Sequence, residues 1–357
     1  MSTRTDLVLE QLAERELDVL LVTDLINIRW LTGFTGSNAA ILLGASQRTF
    51  LTDFRYLSQS ATEVDDSYSR EIGADLLELG VAQLPAEGAL KLGFDDRKMS
   101  VFEHHRLRGL LREDIELVAA GGLIEELRFR KDGDELEKIR AAAKVADDAL
   151  EDVLTRGLVG RTEKEVALDL EFTMRRLGAD GSSFPPIIAA GEHGALPHAE
   201  PRDVPIPAGT LVVIDWGAMK DGYASDCTRT FATGELDPRD AEVYDVVLAA
   251  QEASLAAVEP GPTGKEVDAV ARDIIDAAGH AEHFGHGLGH GVGLEIHEGP
   301  RLSKQGNDAL TSGMVVTVEP GVYVPGAVGV RIEDLVIVTE NGHEVVSSLP
   351  KELRTVT

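Results

Sequence analysis

Cysteine and long apolar runs are scarce in this sequence, and each scarcity excludes a class of structure. Among the 357 residues Cys227 is the single cysteine, so the chain can form neither an internal disulfide nor a CxxC redox pair. No apolar run approaches the roughly 20 residues of a membrane-spanning helix. The opening, MSTRTDLVLEQLAERELD, lacks the apolar core of a signal peptide. We therefore expect a cytoplasmic protein without a membrane partner.

Positive charge is also in short supply. Lysine and arginine total 34 against 62 aspartates and glutamates, which gives a formal net charge of −28. Such a charge opposes binding to nucleic acid or to an anionic membrane. Only ten of the basic residues are lysines. A strongly acidic, lysine-poor surface fits a protein that works in concentrated salt, where screening weakens the repulsion. An ordinary acidic cytosolic protein is the alternative.

Several common catalytic and nucleotide-binding motifs are missing. The sequence contains no G-x-S-x-G of a serine hydrolase, no Walker motif and no G-x-G-x-x-G after a strand. H-E-x-x-H is absent as well, because His297-Glu298 is followed by Gly-Pro-Arg. Any chemistry must therefore come from other residues.

The stretch LVVIDWGAMKDGYASDCTRT reads as a strand, a tight turn and a returning strand, with one aspartate on each strand. If the turn centres on Lys220 and Asp221, Asp215 and Asp226 lie directly opposite each other, with Cβ atoms roughly 4.5–5.5 Å apart. Two ionised carboxylates that close repel each other strongly unless a cation lies between them. The hairpin therefore predicts half of a metal site.

A second stretch, VVTVEPGVYVPGAVGVRIED, repeats this form. Its first strand holds Glu319, a Pro325-Gly326 turn follows, and its second strand holds Glu333. Carboxylate oxygens combined with one imidazole suit Mn²⁺, Co²⁺ or Zn²⁺ better than a metal that prefers sulfur. Two such hairpins and a histidine segment predict a two-metal cage.

The histidine segment, HFGHGLGHGVGLEIHE, lies between the two hairpins. His290 and His297 are seven residues apart, so we expect one to bind metal and the other to face the substrate. His286 is a candidate partner of a metal ligand. We interpret His280 and His283 as structural.

The chain divides at a highly charged stretch, RFRKDGD, so we predict a smaller α/β domain over residues 1–127 and a second domain over residues 128–357. In the second domain a G-x-T-x-K-E-V pattern begins at Gly160 and again at Gly261, each time with the spacing of a helix capping box. We therefore predict a duplicated helix–helix–hairpin unit with the site between its copies. The predicted helices are Asp6–Glu14, Phe102–Leu111, Asp134–Thr155 and Asp240–Val258, and the predicted strands of the first domain are Asp18–Thr23, Ala39–Gly44 and Arg48–Asp53.

Taken together, the motifs resemble those of the pita-bread metallopeptidases, most closely the Xaa-Pro peptidases prolidase and aminopeptidase P. The resemblance rests on VIDWGAMKDGYASDCTRTF, GHGLGHGVGLEIHE, TVEPGVYVPG and VRIED. In addition, LLVTDLINIRWLTGFTGSNAAILL resembles the creatinase and prolidase amino-terminal domain. The implied fold class is α+β, with duplicated units around a curved antiparallel sheet, and the implied assembly is a homodimer.

The resemblance also implies a set of metal ligands. Asp226 and Glu333 would bridge two divalent ions, Asp215 would complete one ion, and His290 with Glu319 would complete the other. Manganese is the expected metal, with cobalt or zinc as alternatives. Two such ions about 3.5–4 Å apart can activate water and polarise a carbonyl.

Further roles follow from the same resemblance. Glu319 would carry a proton from the attacking water to the leaving proline nitrogen. His198, in an LPH motif, and His297 would stabilise the tetrahedral intermediate. Tyr323 and Arg331 match positions that flank the glutamate ligands and would contact the substrate.

The implied activity is hydrolysis of the bond before proline in Xaa-Pro dipeptides or in peptides that begin with Xaa-Pro. A dipeptidase must recognise a free carboxylate, and Arg301, in HEGPRLS, is a candidate because a guanidinium matches that group. A surface arginine paired with an acid is the alternative for Arg301. A methionine aminopeptidase is less favoured, since that group usually lacks the amino-terminal domain. The intact ligand set argues against a non-catalytic peptide binder on the same fold.

Overall fold

The computed structural model describes residues 3–357, which form two compact units that divide between Arg128 and Phe129. The boundary predicted from the sequence lies one residue earlier. Every helix within residues 3–357 is too short or too polar to traverse a bilayer.

The first unit is an α/β unit built on one six-stranded sheet. Its elements are α1 (Arg4–Glu14), β1 (Val19–Val22), α2 (Leu25–Thr32), β2 (Ala39–Gly44), β3 (Gln47–Thr52), α3 (Leu57–Glu63), β4 (Ser69–Ile72), α4 (Leu76–Ala82), β5 (Leu90–Phe94), α5 (Val101–Leu110), β6 (Ile115–Ala119) and α6 (Leu123–Arg128). The strand order is β4-β3-β2-β1-β5-β6. Strands β1 to β3 pair antiparallel, whereas β4, β5 and β6 each join a neighbour in parallel.

The second unit alternates pairs of helices with antiparallel strands. Its elements are α7 (Gly133–Leu154), α8 (Glu163–Arg176), β7 (Gly181–Ser182), β8 (Ile187–Ala190), β9 (Leu211–Trp216), β10 (Ala218–Lys220), β11 (Tyr223–Ala224), β12 (Cys227–Ala232), α9 (Pro238–Ala256), α10 (Gly264–Ala277), β13 (Gly289–Gly291), β14 (Glu298–Leu302), β15 (Val315–Val318), β16 (Gly321–Val324), β17 (Val328–Arg331), β18 (Asp334–Thr339) and β19 (Gly342–Val345). The strands form the groups β12-β9-β8, β11-β10-β7, β14-β13-β15-β18-β19 and β16-β17.

The duplication is visible where the second helix of each copy begins. Thr162 caps α8 and Thr263 caps α10, and each forms the predicted capping box with a glutamate three residues later. The backbone amides next to each cap then bind a downstream segment with the same spacing in both copies. The amide-to-carbonyl pairs are Gly160–Ile206, Glu163–Val204 and Lys164–Arg202 in the first copy, and Gly261–Leu310, Gly264–Asp308 and Lys265–Gly306 in the second.

Each pair of helices buries its apolar face against its own hairpin. Leu150 and Ile214 belong to the core of the first copy, and Val247 and Val336 to the core of the second. All four side chains are fully buried, and each such burial contributes about 1.5–3 kcal/mol. The two cores fix the hairpins on which the acidic residues stand.

Candidate metal and catalytic site

The turn of the first hairpin lies one residue further along than the sequence predicted. Lys220 pairs with Tyr223 across the β10–β11 ladder, so Asp221 and Gly222 form a two-residue turn. Their φ angles are 50° and 83°. A type I′ turn requires positive φ at both central residues, a conformation that Asp-Gly adopts readily and lysine does not. The prediction that the turn centres on Lys220 and Asp221 is therefore wrong.

This register also corrects the predicted placement of the two aspartates. Asp215 lies opposite Thr228 in the β9–β12 ladder, and not opposite Asp226. Asp226 is two residues from Thr228 along the chain, so the alternation of a strand directs both residues to the same face. The two aspartates are consequently diagonal neighbours on one face.

The second hairpin agrees more closely with the prediction. The ladders β15–β18 and β16–β17 share one register, and Glu319 and Glu333 lie opposite each other in the gap between them. The loop that joins β16 to β17 spans residues 325–327 and includes the predicted Pro325-Gly326 turn. In this gap the backbone amides of the two glutamates bind other segments, that of Glu319 the carbonyl of Leu288 and that of Glu333 the carbonyl of Thr228.

The structure brings all five predicted metal ligands together. Carboxylate oxygens of Asp215, Asp226 and Glu333 lie within 4.8 Å of one another. The imidazole Nε2 of His290 lies 3.5 Å from an oxygen of Asp226 and 3.3 Å from an oxygen of Glu319. The result is one buried cluster of four carboxylates and one imidazole.

The electrostatics of this cluster favour a bound cation. Burial, reinforced by the neighbouring carboxylates, raises the pKa of Asp226 and of Glu333 well above their ordinary values. Burial also raises the pKa of Glu319. Within residues 3–357, Oδ1 of Asp215 and Oε1 of Glu333 are buried without any hydrogen-bond partner. Because a buried polar atom ordinarily has a partner, these two oxygens fit a divalent cation that prefers oxygen ligands.

Two threonines that were not predicted from the sequence orient the ligands. The hydroxyl of Thr228 donates to Glu333 at 2.7 Å, and that of Thr317 donates to Glu319 at 3.0 Å. Thr317 also accepts the backbone N–H of His290. Nδ1 of His290 lies 3.1 Å from its partner, the carbonyl of Gly291, so the ring directs Nε2 to the carboxylates. Alternation within each strand is the one local signal that could have indicated either threonine.

Arg331 lies next to the cluster, and its guanidinium hydrogen-bonds other groups of the protein. Its guanidinium donates to Asp215 at 2.6 Å, to the hydroxyl of Tyr323 at 2.9 Å and to the carbonyl of Pro197 at 3.2 Å. The Tyr323 hydroxyl also lies 2.9 Å from Nε2 of His286. Arg331 thus links a predicted ligand to a predicted substrate-binding tyrosine.

The remaining predicted residues stand at the exposed edge of the cluster. His297 is exposed, and its ring centroid lies 4.4 Å from that of His290. His198 is also exposed. Burial lowers the pKa of His286 and of His297. His198 directly follows Pro197, whose carbonyl accepts a hydrogen bond from Arg331, so its backbone lies beside a residue that contacts the cluster.

Arg301 stands apart from this group of contacts. It is an exposed residue of β14, opposite His290 in the β13–β14 ladder. Within residues 3–357 its side chain makes no hydrogen bond or ion pair. The guanidinium is therefore available to a ligand, but the structure does not place it among the clustered residues.

This arrangement of a buried carboxylate–imidazole cluster on a duplicated fold is that of a metal-using hydrolase. Residues 137–340 match the model of metallopeptidase family M24, and residues 4–130 match that of the creatinase/prolidase N-terminal domain. The chain belongs to metallopeptidase family M24. The predicted pita-bread fold with a preceding creatinase-type domain is confirmed, as is the prediction of a hydrolase.

Relatives and solved structures match the chain over nearly its full length. An uncharacterized peptidase of Bacillus subtilis is 42% identical over 94% of this chain and 95% of its own. The structure of an Xaa-Pro dipeptidase from Bacillus anthracis is 38% identical, covers 99% of both chains and superposes with a TM-score of 0.95. That of an X-Pro aminopeptidase from Thermotoga maritima is 35% identical, with a TM-score of 0.88 over 96% of this chain and 99% of that one. The neighbours thus include both a dipeptidase and an aminopeptidase.

Proposed function

We propose that this protein hydrolyses the peptide bond before proline, in Xaa-Pro dipeptides or in peptides that begin with Xaa-Pro, with the help of two divalent metal ions. The buried cluster of four carboxylates and His290 carries this proposal. Near full-length likeness to proteins named Xaa-Pro dipeptidase and X-Pro aminopeptidase supports the substrate class.

The metal would be held by Asp215, Asp226, His290, Glu319 and Glu333. Manganese is the proposed metal, because oxygen ligands dominate the set, and cobalt or zinc would also be accepted. When bound, the ions supply Lewis-acid activation of water and of the scissile carbonyl.

The residues around the cluster would then perform the proton and charge transfers. The side chain of Glu319 is 16% exposed and that of Asp226 is 7% exposed, so Glu319 is the more accessible of the two to the attacking water. It would accept the proton of that water and deliver it to the proline nitrogen. His198 and His297, at the exposed edge, would donate hydrogen bonds to the developing oxyanion.

Tyr323 and Arg331 would position the groups that take part in this chemistry. Arg331 holds the carboxylate of Asp215 and the hydroxyl of Tyr323, so it fixes both groups in place. The partly buried His286 continues the chain of contacts from Tyr323. We propose that Tyr323 contacts the substrate and that Arg331 acts mainly through Tyr323 and Asp215.

Turnover of Ala-Pro, Ala-Pro-Ala and Met-Ala-Ala, measured side by side with Mn²⁺ and Co²⁺ titrated into metal-stripped protein, tests the proposal. We expect metal-dependent release of alanine from the proline substrates and little release of methionine from Met-Ala-Ala. Preferred cleavage of Met-Ala-Ala would indicate a methionine aminopeptidase. Absence of turnover together with peptide binding would indicate a non-catalytic binder.

Arg301→Ala tests whether that guanidinium recognises a dipeptide's carboxylate. We expect KM for Ala-Pro to rise about tenfold or more, since a charge-assisted hydrogen bond contributes about 1.5–3 kcal/mol. KM for Ala-Pro-Ala should change much less, because its carboxylate lies one residue further out. Arg239→Ala, which removes an exposed arginine of α9, is the control. Equal changes for both substrates would exclude this role and favour an aminopeptidase specificity.

The acidic composition leads to a prediction about salt. We propose that the protein is a cytoplasmic homodimer and that its acidic surface is adapted to high ionic strength. The screening length falls from about 30 Å at 0.01 M to about 3 Å at 1 M salt. Screening should relieve the repulsion that accompanies a net charge of −28, so the melting temperature should rise with added KCl. Sucrose at equal osmolality is the control for solute exclusion. A melting temperature that falls with added KCl would contradict the adaptation to high salt. The molar mass measured by light scattering tests the proposed homodimer separately.

A further inference from the structure

His198 lies in a mostly irregular segment, residues 190–202, which runs from the end of β8 through the first part of the connection to β9. It begins with a 3-10 turn at Gly191–Ala195, and His198 follows as an exposed residue. An exposed histidine on an irregular segment needs other contacts to hold it where a substrate would bind, because a misplacement of about 1 Å can cost on the order of a hundredfold in rate.

The carboxylate of Glu163, at the start of α8, joins the two ends of this segment. Oε1 accepts the backbone N–H of Ala190 at 3.0 Å, and Oε2 accepts the backbone N–H of Arg202 at 2.8 Å. The Arg202 guanidinium adds two charge-assisted hydrogen bonds at 3.0 and 3.1 Å. Nδ1 of His193, inside the segment, lies 3.0 Å from the same carboxylate. One buried side chain therefore binds both ends and an interior residue.

The segment is also anchored on the side of the metal cluster. A Cβ atom at Gly329 of β17 would lie 1.7 Å from the carbonyl oxygen of Gly194, so the two backbones are in direct contact. The carbonyl of Pro197 accepts a hydrogen bond from Arg331. These two contacts hold residues 194 and 197 on the hairpin, and the Glu163 carboxylate binds residues on either side of them.

The second copy of the duplicated unit has a different residue at the position equivalent to Glu163. Gly264 occupies the position of Glu163 at the start of α10, and a Cβ atom there would lie 2.0 Å from the carbonyl of Arg301. In the second copy the backbone of the downstream segment thus packs directly against Gly264 at the start of the helix. The first copy has a carboxylate in this position, and its side chain binds the downstream segment.

We propose that Glu163 is a positioning residue that clamps residues 190–202 and thereby places His198 at the substrate. The catalytic consequence rests on the proposed function, in which His198 stabilises the oxyanion. The clamp itself does not, since the contacts of Glu163 are independent of any substrate. Gln in place of Glu163 keeps the volume but removes the charge and one acceptor oxygen, so it should loosen the segment without unfolding α8.

A double-mutant cycle on the metal-loaded enzyme tests the proposal. Glu163→Gln should lower kcat for Ala-Pro by about ten- to a hundredfold and leave bound metal unchanged. In a His198→Ala background the same substitution should change kcat by no more than about twofold, because the residue it positions is gone. Glu165→Gln, two residues along α8, is the matched control, since glutamine also forms a capping box. Equal losses in both backgrounds would overturn the proposal.

Amide hydrogen exchange provides a readout that does not depend on turnover. We expect the amides of Ala190 and Arg202 to exchange at least tenfold faster in Glu163→Gln than in the wild type or in Glu165→Gln. Unchanged protection would overturn the clamp even if kcat fell. If the wild type cleaves no Xaa-Pro peptide, the proposed function has failed, and exchange alone decides whether the clamp exists.

Discussion

Glu333→Gln is expected to abolish metal binding and to lower Ala-Pro turnover by at least about a thousandfold. Glu333 is 1% exposed, and no group in the described part of the chain, residues 3–357, hydrogen-bonds its Oε1. Glutamine keeps the volume but removes the negative charge and presents N–H groups where a cation would sit. Under the proposed function, loss of bound metal would remove the several kcal/mol of transition-state charge stabilisation that an ion supplies, and about 1.4 kcal/mol corresponds to each tenfold change in rate.

Metal content by mass spectrometry, turnover of Ala-Pro and circular dichroism measure this effect. Secondary structure should change little, since Thr228 can still hydrogen-bond the side chain that replaces Glu333. Glu340→Gln makes the same chemical change at an exposed residue after β18 and serves as the control. Wild-type metal content or wild-type turnover in Glu333→Gln would show that this carboxylate is not a ligand.

The cluster could be predicted from the sequence even though the first hairpin was given the wrong turn. Moving the turn by one residue, from Lys220-Asp221 to Asp221-Gly222, shifts the cross-strand pairing by two residues. A shift of two preserves the face on which each side chain lies, because a strand has a period of two. Asp215 and Asp226 therefore remained neighbours, as diagonal partners and not as directly opposed residues.

The helices were predictable for a local reason. The capping boxes that begin at Thr162 and Thr263 each involve two residues only three positions apart in the sequence, and both form as predicted. A local pattern of this kind needs no knowledge of tertiary structure. The repeated pattern at the two caps then indicated the duplication that the backbone hydrogen bonds display.

The contacts that support the site could not be read from the sequence in the same way. Glu163 follows the cap of α8 and looks like another acidic residue of a first turn, yet it is 1% exposed and binds residues 27 to 39 positions away. Arg331 matched a family position that suggested substrate contact, but the structure also shows it binding Asp215, Tyr323 and Pro197. Such long-range partners are set by how segments pack, which no local pattern encodes.

His198→Ala is expected to lower turnover of Ala-Pro by roughly 10²–10⁴-fold while the protein retains its full complement of metal. His198 is exposed and lies outside the group of residues whose oxygens and imidazole nitrogen approach one another. The adjacent Pro197 accepts a hydrogen bond from Arg331, so under the proposed function alanine at position 198 removes a hydrogen-bond donor to the oxyanion and leaves the five proposed ligands in place. KM should change less than kcat, because this interaction strengthens only as charge develops on the carbonyl oxygen.

Turnover and metal content, measured on the same preparation of His198→Ala, distinguish a substrate-binding role of His198 from a metal-binding role. His105→Ala, at an exposed histidine of α5, is the control for removing an imidazole from the surface. Loss of metal in His198→Ala would mean that His198 is itself a ligand and that the division between metal-binding and substrate-binding histidines is wrong. Turnover within about twofold of the wild type, with metal retained, would instead leave His297 as the donor on this edge of the cluster, since a loss that small is under 0.5 kcal/mol.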